Sequence, residues 1–253
     1  MLWDASALIG QTVDATDGSV GTVSDLLFDD ANWAVRWLIV DTGAWLPGRK
    51  VLLPPSALGK PDSAARHLPA KLTMQQIKDS PSVNTDMPVS RQAEASVYAH
   101  YGWAPYWTGG MMPLGSAMAM PFVVPMNGES NPSDLLDADH RPGDQHLRSI
   151  AVVTGYHIHA VDGEIGHVRD FLVDDASWRI RYVVVDTQNW WPGQKVLISP
   201  RSVLEVDWVE RLIRLDTRRQ KIKDSPAYDP AITADGADDA LYLTYFGVRL
   251  AHA

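Results

Sequence analysis

Residues 17–53, DGSVGTVSDLLFDDANWAVRWLIVDTGAWLPGRKVLL, return as residues 162–198, DGEIGHVRDFLVDDASWRIRYVVVDTQNWWPGQKVLI. A single offset of about 145 residues aligns the copies without a gap, and roughly half the positions are identical. A repeat at fixed period governs architecture before any local pattern does. In each copy an Asp-Gly pair (Asp17-Gly18, Asp162-Gly163) sits between alternating apolar and polar runs. That predicts a hairpin with a type I′ turn, whose central residues need positive φ. Gly21, inside the returning strand, predicts a bulge or a close backbone approach. Asp29-Asp30-Ala31-Asn32 reads as a turn of side chains that cap their own backbone. Residues 34–41, AVRWLIVD, are dense in β-branched and aromatic side chains, and Pro47-Gly48 turns the chain into Lys50–Leu53. Several short strands joined by tight turns predict a compact antiparallel barrel rather than a βαβ fold.

The repeat extends beyond the barrel. IKDSP at 77–81 recurs at 222–226, and each copy leads through a polar loop to a helical stretch, residues 90–102 and 236–247. In the first of these Ala93, Val97 and Tyr101 form a stripe at i, i+4 and i+8 that suits packing on the barrel. Residues 203–215 predict an additional hairpin in the second unit, where the first has a looser, proline-containing stretch at 59–72. The organisation read from this is unit 1 with its tail helix over 1–105, a bridge over 106–148, and unit 2 with its tail helix over 149–253.

From Ser96 to Gly128 there is no Asp, Glu, Lys or Arg, and the run is rich in Met, aromatics, Gly and Pro. Pro105, Pro113, Pro121 and Pro125 argue against a membrane-spanning helix there. The chain of 253 residues carries a net charge of −9, so there is no basic surplus to drive counterion release from nucleic acid. The basic run from Arg211 to Lys223 is interleaved with acids and reads as a solvated face. Absence of cysteine excludes disulfides, thiolate metal sites and cysteine nucleophiles. The N-terminal residues show neither a basic nor an apolar secretory region, so the expected location is cytoplasmic.

The combination D-G-x-x-G-x-V-x-D-x-L, a strand ending Val40-Asp41 or Val185-Asp186, and Lys-Val-Leu before a proline resembles the PRC-barrel domain. That domain is similar to the cytoplasmic part of the photosynthetic reaction-centre H subunit and to the C-terminal domain of the ribosome maturation factor. The IKDSP tails and the YGWAPYW stretch resemble those of bacterial tandem PRC-barrel proteins. The resemblance implies a mainly β chain of two small antiparallel PRC-like barrels, each with a short appended helix. It also implies a scaffold or adaptor module that binds other macromolecules, although a fold does not fix a function.

Candidate sites are few. His157, His159 and His167 cluster in the second hairpin, but a simple Asp162-Gly163 turn pairs His167 with Ile158 on the opposite face, so no metal site is expected unless a bulge at Gly166 shifts the register. Asp29-Asp30 and Asp174-Asp175 read as turn formers rather than a calcium site, which needs six or more oxygens. No phosphate loop, nucleophile elbow or paired-carboxylate arrangement is present, so neither a catalytic residue nor a cofactor is expected. Trp33, Trp45, Trp178, Trp190 and Trp191 are expected to cover barrel ends. Trp103, Tyr106, Trp107, Met111, Met112, Met118, Met120 and Phe122 form the expected partner interface, since aromatics and flexible Met are favoured contact residues.

The reading is therefore a non-enzymatic binding, adaptor or assembly protein acting through a protein partner or self-association. It needs no nucleic acid, and any membrane contact would be made without a spanning helix. The alternative is a peripheral membrane protein, or one associated with photosynthetic electron transfer, resembling the reaction-centre H subunit. A metal-dependent enzyme stands third.

Overall fold

The alternation in the repeat becomes strand pairing in a computed structural model that describes residues 1–62, 65–81, 91–103, 147–187, 194–225 and 228. The first half runs β1 (Leu2–Asp4), α1 (Ala5–Leu8), β2 (Thr12–Ala15), β3 (Gly18–Asp29), β4 (Ala34–Asp41), β5 (Lys50–Leu53), β6 (His67–Pro69), α2 (Met74–Lys78) and α3 (Arg91–Tyr101). The second half runs β7 (Leu147–Ser149), α4 (Ile150–Val153), β8 (His157–Ala160), β9 (Gly163–Asp174), β10 (Arg179–Asp186), β11 (Lys195–Ile198), β12 (Val203–Asp207), β13 (Leu212–Leu215) and α5 (Arg219–Lys223). The molecule is mainly β, with few short helices, in two like units.

In unit 1, β2 to β5 pair antiparallel in sequence order, and β6 returns to lie parallel to β2. Unit 2 repeats this with β8 to β11, and β13 lies parallel to β8 with β12 hairpinned onto it. Among the described residues, these two parallel pairings depart from the antiparallel pattern within the units. Such a pairing requires a long connection, which the residues between β2 and β6 supply in unit 1.

The hairpin turn differs from the type I′ expectation. Its loop residues are Thr16 and Asp17, neither of which has positive φ, and Gly18 opens β3 at φ 159°. Asp17 instead uses its carboxylate to accept the backbone N–H of Met74 at 2.7 Å, and Asp162 accepts that of Arg219 at 2.8 Å. The Asp of each Asp-Gly pair thus ties the short helix α2 or α5 to its hairpin. The bulge expected at Gly21 is present: Val13 pairs with Gly21 and Asp14 with Ser19, so Val20 is left over. At that bend a Cβ on Gly21 would lie 2.0 Å from the Asp41 carbonyl oxygen.

β4 is buried on both faces, which explains why its alternation lapses into a continuous apolar run. Val35, Leu38 and Val40 belong to the interior, while Trp37 and Ile39 join Leu27, Leu52, Val97, Tyr98 and Leu147 in an outer cluster under α3. The helix buries Glu94, Val97 and Tyr98, with Tyr101 half-buried. Val97 and Tyr101 of the expected stripe thus pack on the barrel, joined by Glu94 and Tyr98; the Ala93 side chain lies outside the described residues. Glu94 belongs to the inner face because the Trp37 indole N–H donates to its Oε2 at 2.7 Å. Burial, and then the Glu94 carboxylate, pushes the Tyr98 phenol up to about 12.

The two units share one core. The main cluster of buried apolar side chains runs through both. β4 and β10 meet antiparallel at Ala34 and Arg179. There the N–H of Val35 donates to the Trp178 carbonyl and the N–H of Ile180 to the Trp33 carbonyl, both at 2.8 Å. Equivalent residues make equivalent bonds, as a local two-fold requires. Phe28 and Phe171 stand 5.7 Å apart beside this junction, and Phe28 stacks on Trp33 at 5.4 Å. Trp33 and Trp178 are left-handed, at φ 58° and 52°, and almost fully buried. They were expected at barrel ends; they stand at the seam between the units, where burial and the cross-strand bonds offset the strain of a bulky left-handed residue.

The lead-ins are exchanged. β1 pairs with β9 of the second barrel, and β7 pairs with β3 of the first. Ser6, through its backbone N–H and its hydroxyl, hydrogen-bonds the Asp170 carboxylate. Across the two-fold, the Ala151 N–H and the Ser149 hydroxyl bond Asp25. Burial pushes the Asp25 carboxyl up, against these bonds.

Candidate functional site

At the junction, the turn that follows the long bent strand of each unit faces the other unit. The turn is held by its own acid. Asp29 accepts from the Ala31 N–H (3.0 Å), the Asn32 amide (2.7 Å) and Arg36 (2.9 Å). Asp174 accepts from the Ala176 N–H (3.1 Å), the Ser177 hydroxyl (2.7 Å) and Arg181 (3.1 Å). The adjacent acid is engaged as well, Asp30 pairing with Arg148 at 2.7 Å. These bonds account for both acidic pairs as turn formers.

Burial alone would raise the Asp174 carboxyl, but the bonds from Ser177, Ala176 and Arg181 together outweigh it and lower the value below the usual 3.8. The folded value is thus below the unfolded one. The stabilisation is present above the usual value and is lost as pH falls through the lowered one. We expect Asp174→Asn to destabilise the protein by about 1 kcal/mol near neutral pH, where an ionised acceptor in a partly solvated turn is lost. The gap to the unmodified protein should narrow on acidification from neutral pH to below the usual carboxylate value of 3.8. Urea unfolding followed by tryptophan fluorescence at the two pH values checks this; a gap that does not change with pH would contradict it.

Each junction turn borders an open cleft. The larger, of about 640 Å³, lies between the first unit's turn (Asn32, Trp33), Arg148 of the second unit's lead-in, and the second unit's Arg179, Arg181 and Arg201. Its counterpart, of about 590 Å³, is lined at the equivalent positions by Ser177, Trp178, Ala34, Arg36 and Ser56. In the larger cleft Arg179 donates to the Asn32 carbonyl at 3.2 Å, and the Arg148 guanidinium lies 5.5 Å from the Trp208 ring centre. Neither cleft was foreseen, because each combines residues far apart in the chain.

The histidines are placed differently from the simple-turn expectation. The bulge at Gly166 shifts the register, so His157 faces His167 and His159 faces Glu164. His157 Nδ1 lies 3.0 Å from the Glu164 carboxylate, at the surface. Among the described residues no group of three or more His, Asp or Glu is placed to hold a metal ion. No described helix is long and apolar enough to cross a membrane.

Of the expected interface, Trp103 is half-buried, stacks on Tyr101 at 4.3 Å and packs against the outer cluster of the first barrel. Tyr106, Trp107, Met111, Met112, Met118, Met120 and Phe122 lie outside the described residues, as do Trp190 and Trp191. Trp45 is partly buried against the core.

Comparison with known families matches the model of the PRC-barrel domain twice, at residues 4–64 and 158–222. The chain belongs to the PRC-barrel family. The second match begins at β8 and reaches into α5, so the PRC-barrel unit includes the closing parallel strand there. No curated protein matches the chain. Both junction turns, and the bulge glycines Gly21 and Gly166, fall within the matched PRC-barrel segments.

Proposed function

We propose that this tandem PRC-barrel chain is a non-enzymatic binding or assembly protein that engages other protein surfaces through the uncharged bridge between its two copies. One observation carries the reading. Trp103, where the described chain leaves α3, and Leu147, where it resumes, both join the same outer cluster on the first barrel. The described residues on either side of 104–146 therefore lie on one barrel, and that segment is far longer than a connection between them needs, since most links in compact domains run to a few residues. What they contribute is a run without Asp, Glu, Lys or Arg through Gly128, carrying Trp107, five of the chain's eight Met and Phe122. Apolar segments of this kind favour contact with other proteins.

Deleting residues 106–126 tests it. The expected result is an unchanged melting transition together with loss of self-association, read by sedimentation velocity across a concentration series. A chain that sediments identically with and without the segment, and that captures the same proteins from its native extract, would refute the proposal.

A further inference from the structure

The two junction clefts are an internal control on each other. They have the same origin in the repeat, so whatever one carries and the other lacks is not needed to build the barrel. Arg179 and Arg201 in the larger cleft stand where the smaller has Ala34 and Ser56. Leu204, in the same wall, stands where the first unit has Gly59, and the next turn carries Trp208 and Val209 where the first unit has Ser63 and Ala64. Leu204, Trp208 and Val209 are 69%, 44% and 89% exposed.

The charges on this wall are unevenly satisfied. Arg148 is neutralised by Asp30 at 2.7 Å and Arg181 by Asp174 at 3.1 Å. Glu205, on the rim, is drawn 3.4 Å from Arg214 on the neighbouring strand. Arg179 meets only the Asn32 carbonyl, and the Arg201 guanidinium has no hydrogen bond or ion pair among the described residues. Two guanidiniums thus face one cleft without a counter-charge, in a chain whose net charge is −9. Beside them runs β12, which pairs with β13 and with no other described strand, leaving an edge open to a further strand.

We infer that the larger cleft binds an acidic segment of a partner protein in extended conformation. Its backbone adds along the edge of β12, two carboxylates reach Arg179 and Arg201, and an apolar side chain lies on Leu204 and Trp208. Strand addition supplies affinity and alternate side chains supply selection. Guanidinium forks suit carboxylates in two-point contact. The aliphatic rim separates this occupant from nucleic acid, whose backbone offers nothing to Leu204 or Val209. The residues invoked here are not those of the bridge, and neither inference depends on the other.

The test uses the full chain and a fluorescently labelled peptide of alternating Glu and Val, read by anisotropy. The double variant Arg179→Ala with Arg201→Ser installs the first unit's own residues, which that unit folds with. It should weaken binding about tenfold or more. Leu204→Gly should weaken it severalfold, and a Gln-Val peptide should bind as poorly as the double variant binds Glu-Val. Deleting residues 106–126 should leave peptide binding intact, so that failure of the bridge proposal and failure of this one read differently. Equal binding by the parent and the double variant overturns the inference. So does a preference for a single-stranded oligonucleotide or for anionic lipid vesicles over the peptide.

Discussion

Gly166→Ala should lower the unfolding free energy by about 3–5 kcal/mol, among the largest losses any single substitution would cause in this chain. Two effects add. At φ 152° the residue occupies backbone space that side-chain-bearing residues rarely enter, and an added Cβ would lie 1.9 Å from the Asp186 carbonyl oxygen and 2.9 Å from its carbon. Those atoms belong to the backbone of β10, so relief requires the two central strands of the barrel to part. Gly21→Ala should behave alike, with the Asp41 carbonyl 2.0 Å away. The control is Gly43→Ala, at φ 55° with nothing within 4 Å, which should cost only about 1 kcal/mol of backbone strain. Urea midpoints by tryptophan fluorescence would decide; a Gly166→Ala loss no larger than that of Gly43→Ala would mean the bulge can be abandoned cheaply.

Deleting residues 2–6 should loosen the second barrel more than the first, although those residues lead directly into the first. Trp3 is 8% exposed, Ala5 is fully buried, and Leu2 to Asp4 pair with Leu172 to Asp174 of β9. Removing a buried tryptophan with its strand bonds costs on the order of 4 kcal/mol. Hydrogen exchange by mass spectrometry should show amides of β9 and β10 exchanging at least about tenfold faster, with β2 and the start of β3 little changed. The reverse pattern, with damage confined to the first barrel, would refute the exchange of lead-ins.

The fold was legible because its determinants are local. Asp29 and Asp174 are turn formers by side-chain chemistry. Gly21 and Gly166 mark bulges, and the strand at 34–41 is written in β-branched and aromatic residues. The same locality explains the failures. The Asp-Gly pair does mark the hairpin, but not with a type I′ turn, because Asp17 is held by its bond to the Met74 N–H, far along the chain. Trp33 looked like an end cover because nothing nearby in sequence reveals Phe171 or Trp178 across the seam. Burial of Glu94 was not legible either, since its partner, the Trp37 indole, comes from a strand far earlier in the chain. The bulge that realigns His157 with His167 was visible in Gly166, but its register is set by pairing. The arginine-lined cleft was illegible for a plainer reason: Arg148 comes from one lead-in, Asn32 from the opposite barrel, and Arg201 from beyond β11.

The exchange of β1 and β7 makes the chain, in connectivity, a strand-swapped homodimer written as one polypeptide. A dimer of identical subunits is bound by its symmetry to display two identical clefts, and any substitution appears in both. Fusion removes that constraint while leaving the interlocked seam intact. One copy carries Ala34 and Ser56 while the other carries Arg179 and Arg201. Covalent duplication thus turns a symmetric body into one with a polarity, in which two structurally equivalent faces are free to meet chemically different neighbours.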